Sequence, residues 1–266
     1  MSPLPDTTRR TAARVAGAGY LALFILAIFA NFVVKQGIID PDDAAATAAA
    51  IREQESLFRI GLAAFVIVFL IDVPVAWGLY VLFAPAGRAR SLLVAWFRIV
   101  YTVFLGVGAV FMFLGLQIAI GATGLGPDAA LLMFAAFDFA WYVGLIAFGA
   151  HLVLLGALII RSRIAPPIVG IILAVAGAAY AVDTLVHVLV ADYAAIAGVM
   201  LAVVAIPSIV AELTFTVWLL LAGRRSSAVT REEIPAAPAH SGPDHSRERM
   251  DHVERPHAAA TGADRK

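Results

Sequence analysis

Ionisable side chains lie inside long apolar segments of this 266-residue chain, which is 62% hydrophobic overall. They comprise four acids, one arginine and two histidines: Asp72, Asp138, Asp183, Glu212, Arg98, His151 and His187. An ionisable group near the centre of a bilayer costs roughly 2.5–3.5 kcal/mol, so such residues face a protein interior, pair with each other or carry function. Arg98 can neutralise only one of the four acids. The others must bind a proton or cation, share a proton, or contact water, because an unpaired buried charge is costly.

Depth in the membrane sorts these side chains into two groups, at a rise of about 1.5 Å per helical residue. The inner group is predicted to contain Asp72, Arg98, His151 and Glu212. The outer group is predicted to contain Asp138, Tyr180, Asp183 and His187, the last three on one helix face at i, i+3 and i+7. Two interpretations stay open: a structural Asp72–Arg98 pair that fixes two spans, or a site for a ligand, an ion or a proton.

Several other kinds of chemistry lack the residues they need. The absence of cysteine excludes disulfides, thiolate metal sites and cysteine nucleophiles. Neither G-x-S-x-G nor H-E-x-x-H occurs. Nineteen basic and nineteen acidic residues cancel, which gives no reason to expect a nucleic-acid partner. We therefore predict no catalytic residue, cofactor or metal site, and as partners the lipid bilayer and an unidentified small molecule, ion or membrane protein.

Six apolar runs position the ionisable groups, and each is long enough to cross a bilayer as a helix, which takes about 20 residues. The spans are predicted at residues 15–34, 60–83, 92–120, 131–160, 168–190 and 194–221. The runs are continuous rather than alternating, which favours helices over the strands of a β-barrel. The predicted fold class is therefore all-α, a six-helix transmembrane bundle. Only the first span lacks an ionisable side chain, so we expect it to be an anchor and the other five to form the functional bundle.

A short extracytoplasmic helix is predicted between the first two spans. Asp40 is the expected N-cap, because Pro41 would occupy the first helical position and acids would fill the first turn. The helix would run through an alanine-rich segment to Ser56, either separate from the second span or fused to it. Both ends of the chain should lie outside the membrane, as a cytoplasmic segment 1–14 and a cytoplasmic tail 222–266. The tail is polar and predicted to be disordered; a weak metal site at its four histidines is the less favoured alternative.

Arginines predict the orientation of the bundle. They precede the first span, occupy the second and fourth turns, and follow the last span: Arg9, Arg10, Arg14, Arg88, Arg90, Arg161, Arg163, Arg224 and Arg225. Because basic residues stay on the cytoplasmic side, both termini are expected there, in an inner (plasma) membrane. A cleaved signal peptide is the alternative for the first span, but a 20-residue run closed by Lys35 favours a retained one.

A series of segments also carries a family resemblance. They are ESLFRIG at 55–61, DVPVAWGLYVLF at 72–83, WFRIVY at 96–101 and HLVLLGALIIRS at 151–162, followed by Pro166 or Pro167, Gly170, Gly177, Tyr180 and Asp183. In this order they resemble a bacterial integral membrane family of unknown function, DUF4386, over about residues 10–221. The resemblance implies six helices and a bacterial inner membrane, and it implies no activity. It marks Arg59, Asp72, Arg98, His151 and Asp183 as matching positions.

Three functions compete on these observations. The first is a small proton- or cation-coupled transporter-like protein that uses the intramembrane carboxylates, with helices kinked at Pro74 and Pro207. The second is a non-enzymatic membrane scaffold or sensor in which the polar residues are structural. The third is an intramembrane enzyme that acts on lipid with His151 as general base, which the lack of an evident nucleophile disfavours. The chain is therefore not expected to be an enzyme.

Overall fold

A computed structural model describes residues 6–232, which are helical over most of their length and contain no strand. Among them, six helices are long and apolar enough to cross a membrane: Thr7–Ile38, Glu55–Ala86, Arg88–Ala119, Pro127–Ser162, Pro167–Leu189 and Ala197–Arg224. The predicted all-α bundle of six spans is therefore confirmed. Continuous apolar sequence produces this fold because only a helix satisfies its own backbone hydrogen bonds in a hydrocarbon environment.

The helices follow one another with short connections. The first span consists of α1 (Asp6–Ile28), a π-helical segment (Phe29–Lys35) and a final turn α2 (Gln36–Ile38). The remaining helices are α3 (Ala44–Glu53), α4 (Glu55–Phe83), α5 (Arg88–Ala119), α6 (Pro127–Ser162), α7 (Pro167–Leu189) and α8 (Ala197–Glu232). Short 3-10 turns at Ala84–Ala86 and Tyr193–Ala195 precede α5 and α8.

The six spans form a closed ring in which each packs on the next along the chain and α8 packs back on α1. The ring encloses aromatic side chains, among them Phe65 of α4 and Phe137 of α6, whose ring centroids are 5.0 Å apart. We name its two ends by their charge. The basic end carries Arg14, Arg88, Arg90, Arg161 and Arg224, and the acidic end carries Asp40, Asp42, Asp43, Asp128 and Asp192.

The short helix α3 begins later than the sequence predicted. Asp43, not Asp40, is the N-cap, and its side chain accepts a hydrogen bond from the backbone of Ala46 at 2.8 Å. Asp40 is held in the preceding turn, because its carboxylate accepts from the backbone of Asp42 and its backbone bonds twice to Thr47. Pro41 therefore lies outside the helix. The helix ends at Glu53, so α3 is separate from α4.

A basic side chain anchors α3 to the acidic end of the ring. The Nη1 atom of Arg52 donates to the backbone oxygen of Ala119, the last residue of α5, at 2.7 Å. The last carbonyls of a helix lack partners within it and carry partial negative charge, so this cation stabilises the end of α5. Arg52 is therefore a structural cap, which accounts for a basic residue at this end of the bundle.

The last helix is longer than predicted. The sixth span was expected to end at Leu221, but α8 continues without interruption to Glu232. Residues 222–232 contain no proline, and the next proline is Pro235, so no residue of this segment forces the helix to end. The remainder of the predicted tail, from residue 233 onward, lies outside the described residues.

Candidate functional site

An ion pair between Asp72 and Arg98 lies inside the ring. The Nε atom of Arg98 donates to Oδ1 of Asp72 at 2.8 Å, and Nη2 lies 2.5 Å from the same oxygen. The other carboxylate oxygen accepts from the hydroxyl of Thr102 at 2.6 Å. Thr102 follows Arg98 by one turn of α5, so a single helix face supplies all these donors. Asp72 and Arg98 are only 1% and 2% exposed, and a charge pair so deeply buried requires this degree of hydrogen bonding.

Two more helices contribute partners to Arg98. Its Nη1 atom donates to the Tyr20 hydroxyl of α1 at 2.6 Å and lies 3.4 Å from Nε2 of His151 on α6. The Nδ1 atom of His151 lies 2.8 Å from the carbonyl oxygen of Val94, which can only accept, so Nδ1 carries the proton and Nε2 faces Arg98 as an acceptor. His151 is therefore neutral in this arrangement. We call Tyr20, Asp72, Arg98, Thr102 and His151 the central network.

Glu212 of α8 lies beside the central network without joining its hydrogen bonds. The carboxylate is close enough to Arg98 and Asp72 to interact with both electrostatically. Its hydrogen bond comes instead from the Tyr180 hydroxyl of α7, at 3.2 Å. One turn earlier on α8, the buried Ser208 hydroxyl lies near Tyr180 without a hydrogen bond of good geometry. We call Tyr180, Ser208 and Glu212 the Glu212 site.

The charges in this region do not balance if every group is ionised. Asp72 and Arg98 cancel, and the neutral His151 adds nothing. An ionised Glu212 therefore leaves one negative charge without a counter-ion. The structure thus brings the four predicted inner residues to the same part of the ring, but it divides them between a neutral ion pair and an unpaired carboxyl.

Tyr180 lies with this inner region, not with the outer group to which its depth assigned it. The side chains of a helix tilt toward its N-terminus, and α7 begins at the basic end. The long Tyr180 side chain therefore extends from the middle of α7 toward Glu212. Depth counted at the backbone does not include this displacement of the hydroxyl.

The outer residues of α7 contact tyrosines. Asp183 accepts from the Tyr193 hydroxyl at 2.7 Å. The His187 ring lies between Tyr142 and Tyr193, with centroid distances of 4.2 and 4.3 Å. Burial raises the pKa of Tyr193, and its hydrogen bond to Asp183 raises that pKa further, so the hydroxyl stays protonated and continues to donate. Asp183 and His187 are therefore held by aromatic side chains at the acidic end.

Asp138 pairs with a residue that the sequence placed only at the edge of the first span. The Nζ atom of Lys35 lies 2.6 Å from Asp138 Oδ1 and 5.7 Å from the centroid of the Phe137 ring. Lys35 ends the π-helical segment, a feature that often occurs where a helix positions a functional side chain. The prediction that the first span is only an anchor is wrong, because α1 supplies Tyr20 to the central network and its π-helical extension supplies Lys35 to Asp138.

Sequence reasoning missed Tyr20, Thr102 and Lys35 as polar partners. Thr102 carried a readable signal, since it lies four residues after Arg98 on one face. Tyr20 carried none, because a tyrosine in an apolar span is indistinguishable from a packing residue until its neighbours are known. Among residues 6–232, no three histidine, aspartate or glutamate side chains are placed to hold a metal ion.

Six spans around a buried polar network define a polytopic α-helical membrane protein. The chain belongs to the family of the domain of unknown function DUF4386, whose pattern matches residues 15–223. It is similar to an uncharacterised protein of Archaeoglobus fulgidus, with 31% identity over 163 residues, which cover 61% of this chain and 83% of that protein. No solved structure matches the chain.

Proposed function

We propose that this protein is a small proton- or cation-coupled, transporter-like membrane protein in which Glu212 is the exchangeable carboxyl. The observation that carries the proposal is the inequality of the two inner acids. Asp72 has the guanidinium of Arg98 in direct contact, whereas Glu212 has the Tyr180 hydroxyl and forms no ion pair with any of residues 6–232. A proton or a monovalent cation on Glu212 would balance the charge, and its release would restore an unpaired carboxylate that must contact water or another cation.

The surroundings of Glu212 suit a carboxyl that binds and releases a proton or a cation. As a whole residue Glu212 is only partly buried, whereas Asp72, Arg98 and His151 are at most 2% exposed. Its helix α8 contains Pro207, five residues before Glu212. A proline inside a helix removes one backbone hydrogen bond and allows the helix to bend there. The nearby Ser208 hydroxyl supplies an additional oxygen for a bound proton, water or cation. In this proposal the central network stays unchanged while the neighbouring Glu212 binds and releases a proton or a cation.

A rapid pH jump on protein reconstituted in a solid-supported membrane tests the proposal. Proton binding inside the bilayer should displace charge, and we expect a transient current that Glu212→Gln abolishes. Glu53→Gln is the matched control, because Glu53 is exposed on α3 and should leave the current unchanged. A wild-type protein without a current, or a Glu212→Gln variant that retains it, would contradict the role of Glu212.

The orientation and the membrane belong to the same proposal. We place the basic end in the cytoplasm and the protein in the plasma (inner) membrane, because arginines accumulate on the cytoplasmic side of helical membrane proteins. A carboxyl midway along the spans would then be reachable by exchange from either side. The intramembrane-enzyme alternative gains no support, because both ring nitrogens of His151 face protein atoms and the residue is 0% exposed.

A scaffold or sensor is the second candidate, and the completeness of the central network favours it. Tyr20, Asp72, Arg98 and His151 join four different spans and satisfy one another. Such a network fixes helix positions without any transport. In this interpretation the C-terminal part of the chain, after the sixth span, would contact a partner protein. Deletion of 222–266 should then abolish the capture of that partner by crosslinking in native membranes. Unchanged capture would contradict a role of the tail.

A further inference from the structure

An apolar groove runs along the outer surface of the ring, where α5, α6 and α7 meet. Its volume is about 460 Å³. Its lining includes Leu93 and Phe97 of α5, Ala150 and Leu154 of α6, and Ala181 of α7. Leu93 is 46% exposed, so the groove opens toward the surroundings of the bundle and not toward its interior.

The position of the groove along the spans corresponds to one leaflet of a bilayer. Leu93 lies about 8 Å from the start of α5, and Ala181 about 21 Å from the start of α7, at 1.5 Å per residue. Both helices begin at the basic end, so the groove runs from near that end toward the middle of the bundle. A hydrocarbon chain anchored at the basic end would follow this direction.

Two arginines stand at the mouth of the groove. Arg90 precedes Leu93 by three residues on α5, and Arg161 follows Leu154 by seven on α6, which places each on the groove face of its helix. Both are exposed, and neither has a hydrogen bond or ion pair within the described part of the chain. The adjoining turns, 84–90 and 161–167, contain no aspartate or glutamate. The mouth therefore carries uncompensated positive charge.

We propose that this groove binds one acyl chain of an anionic phospholipid, whose headgroup phosphate pairs with Arg90 and Arg161. The apolar walls fit the hydrocarbon, and the arginines fit the phosphate, because guanidinium groups bind phosphate oxygens through paired N–H donors. The small side chains of Ala150 and Ala181 leave room for the hydrocarbon. The proposal does not depend on a function of Glu212, which lies on α8.

Native mass spectrometry of the protein from nanodiscs of equal phosphatidylglycerol and phosphatidylcholine tests this site. We expect selective retention of one phosphatidylglycerol. Ala150→Phe should fill the groove and abolish retention, and the double variant Arg90→Gln/Arg161→Gln should remove the selectivity. The expected weakening is about fivefold for each arginine, the contribution of one basic residue near an anionic membrane surface.

Matched variants separate a built site from general attraction. Ala135→Phe makes the same change on an exposed position of α6 toward the acidic end, and Arg224→Gln removes an arginine of the basic end from α8. Both should retain the lipid; Ala150→Leu replaces the phenylalanine variant if that protein does not fold. Equal retention of both lipids, or retention that survives both Ala150→Phe and Ala150→Leu, would overturn the proposal. A dimer that these variants dissociate would also overturn it, since a second copy would then occupy the groove.

Discussion

At the scale of single residues, the ion pairs of this protein differ in how much each can contribute. Asp72 and Arg98 are buried, so either charge left alone would lack both water and a counter-ion. Lys35 and Asp138 are partly covered, with side chains 14% and 42% exposed. Pairs on an accessible surface contribute little, because solvent screens them and the side chains lose freedom when they pair. The central network should therefore dominate the energetic effect of charge substitutions.

Breaking the Asp72–Arg98 pair should destabilise the fold strongly. Asp72→Asn leaves Arg98 buried without its counter-ion, and the expected loss in free energy of unfolding is about 3–5 kcal/mol. Denaturation in mixed detergent micelles, followed by circular dichroism, measures this loss.

A second variant distinguishes loss of the pair from loss of either side chain. Asp72→Asn/Arg98→Gln removes both charges, so it should cost less than the sum of the two single substitutions. Glu55→Gln, which breaks an exposed pair with Arg59, is the control and should cost less than about 1 kcal/mol. Additive losses at Asp72 and Arg98 would argue that the two side chains act independently.

The sequence predicted which buried polar residues are important, but it predicted their partners less well. Asp72, Arg98, His151 and Glu212 were visible because a charge in an apolar run is rare. Tyr20, Thr102 and the Val94 carbonyl were not, because their roles depend on which helices are neighbours. That arrangement follows from side-chain packing across the ring, which hydropathy does not encode.

At the scale of helices, close backbone contact joins α6 to α7. Two glycines of α6 face two glycines of α7 in antiparallel order, Gly149 with Gly177 and Gly156 with Gly170. A Cβ added at Gly156 would lie 2.3 Å from the carbonyl oxygen of Gly170, closer than two non-bonded heavy atoms can approach. Small residues let helices pack tightly in membranes, where no hydrophobic force drives them together. The seven-residue spacing was present in the sequence, but only the pairing of α6 with α7 gives it a meaning.

Because of this close glycine contact, alanine at Gly156 should lower the stability of the protein, although alanine favours helix formation. Gly156→Ala should destabilise the protein by about 1–3 kcal/mol through overpacking, although alanine favours a helix over glycine by about 1 kcal/mol. Gly198→Ala, on α8 where nothing lies within 4 Å of the added Cβ, should be neutral or stabilising. Thermal denaturation of the two variants in detergent provides the comparison. Equal effects would show that helix propensity, not close contact, decides the outcome at Gly156.

Helix boundaries show where local signals compete. Asp40 and Pro41 had the features of a helix start, yet α3 begins after Asp43, because Thr47 binds both backbone groups of Asp40 and holds it in the turn. The π-helical segment Phe29–Lys35 has no sequence signature. It ends at Lys35, which pairs with Asp138. Long apolar runs were therefore predictable, whereas caps and irregular turns depend on a few specific hydrogen bonds.

At the scale of the whole molecule, the ring is asymmetric in charge between its ends. Arginines collect at the basic end, whereas Arg52 and Lys35 near the acidic end are engaged by the Ala119 carbonyl and by Asp138. Together with Arg59, which pairs with Glu55, they are the basic residues between the first two spans and the exception to a uniform positive-inside pattern in the sequence. Most of the basic residues of the bundle are therefore concentrated at one end, which is the asymmetry that orients a helical membrane protein.

The charge asymmetry predicts the side of the membrane on which each end lies. The chain has no cysteine, so single introduced thiols report accessibility without background. Gly124→Cys lies in an exposed turn of the acidic end, and Ala89→Cys lies in the exposed first turn of α5 at the basic end. In intact cells a membrane-impermeant maleimide should label Gly124→Cys, and Ala89→Cys should react only after the membrane is permeabilised. The reverse pattern would place the basic end outside and would contradict the proposed orientation, and labelling of both in intact cells would contradict a bundle whose ends lie on opposite sides.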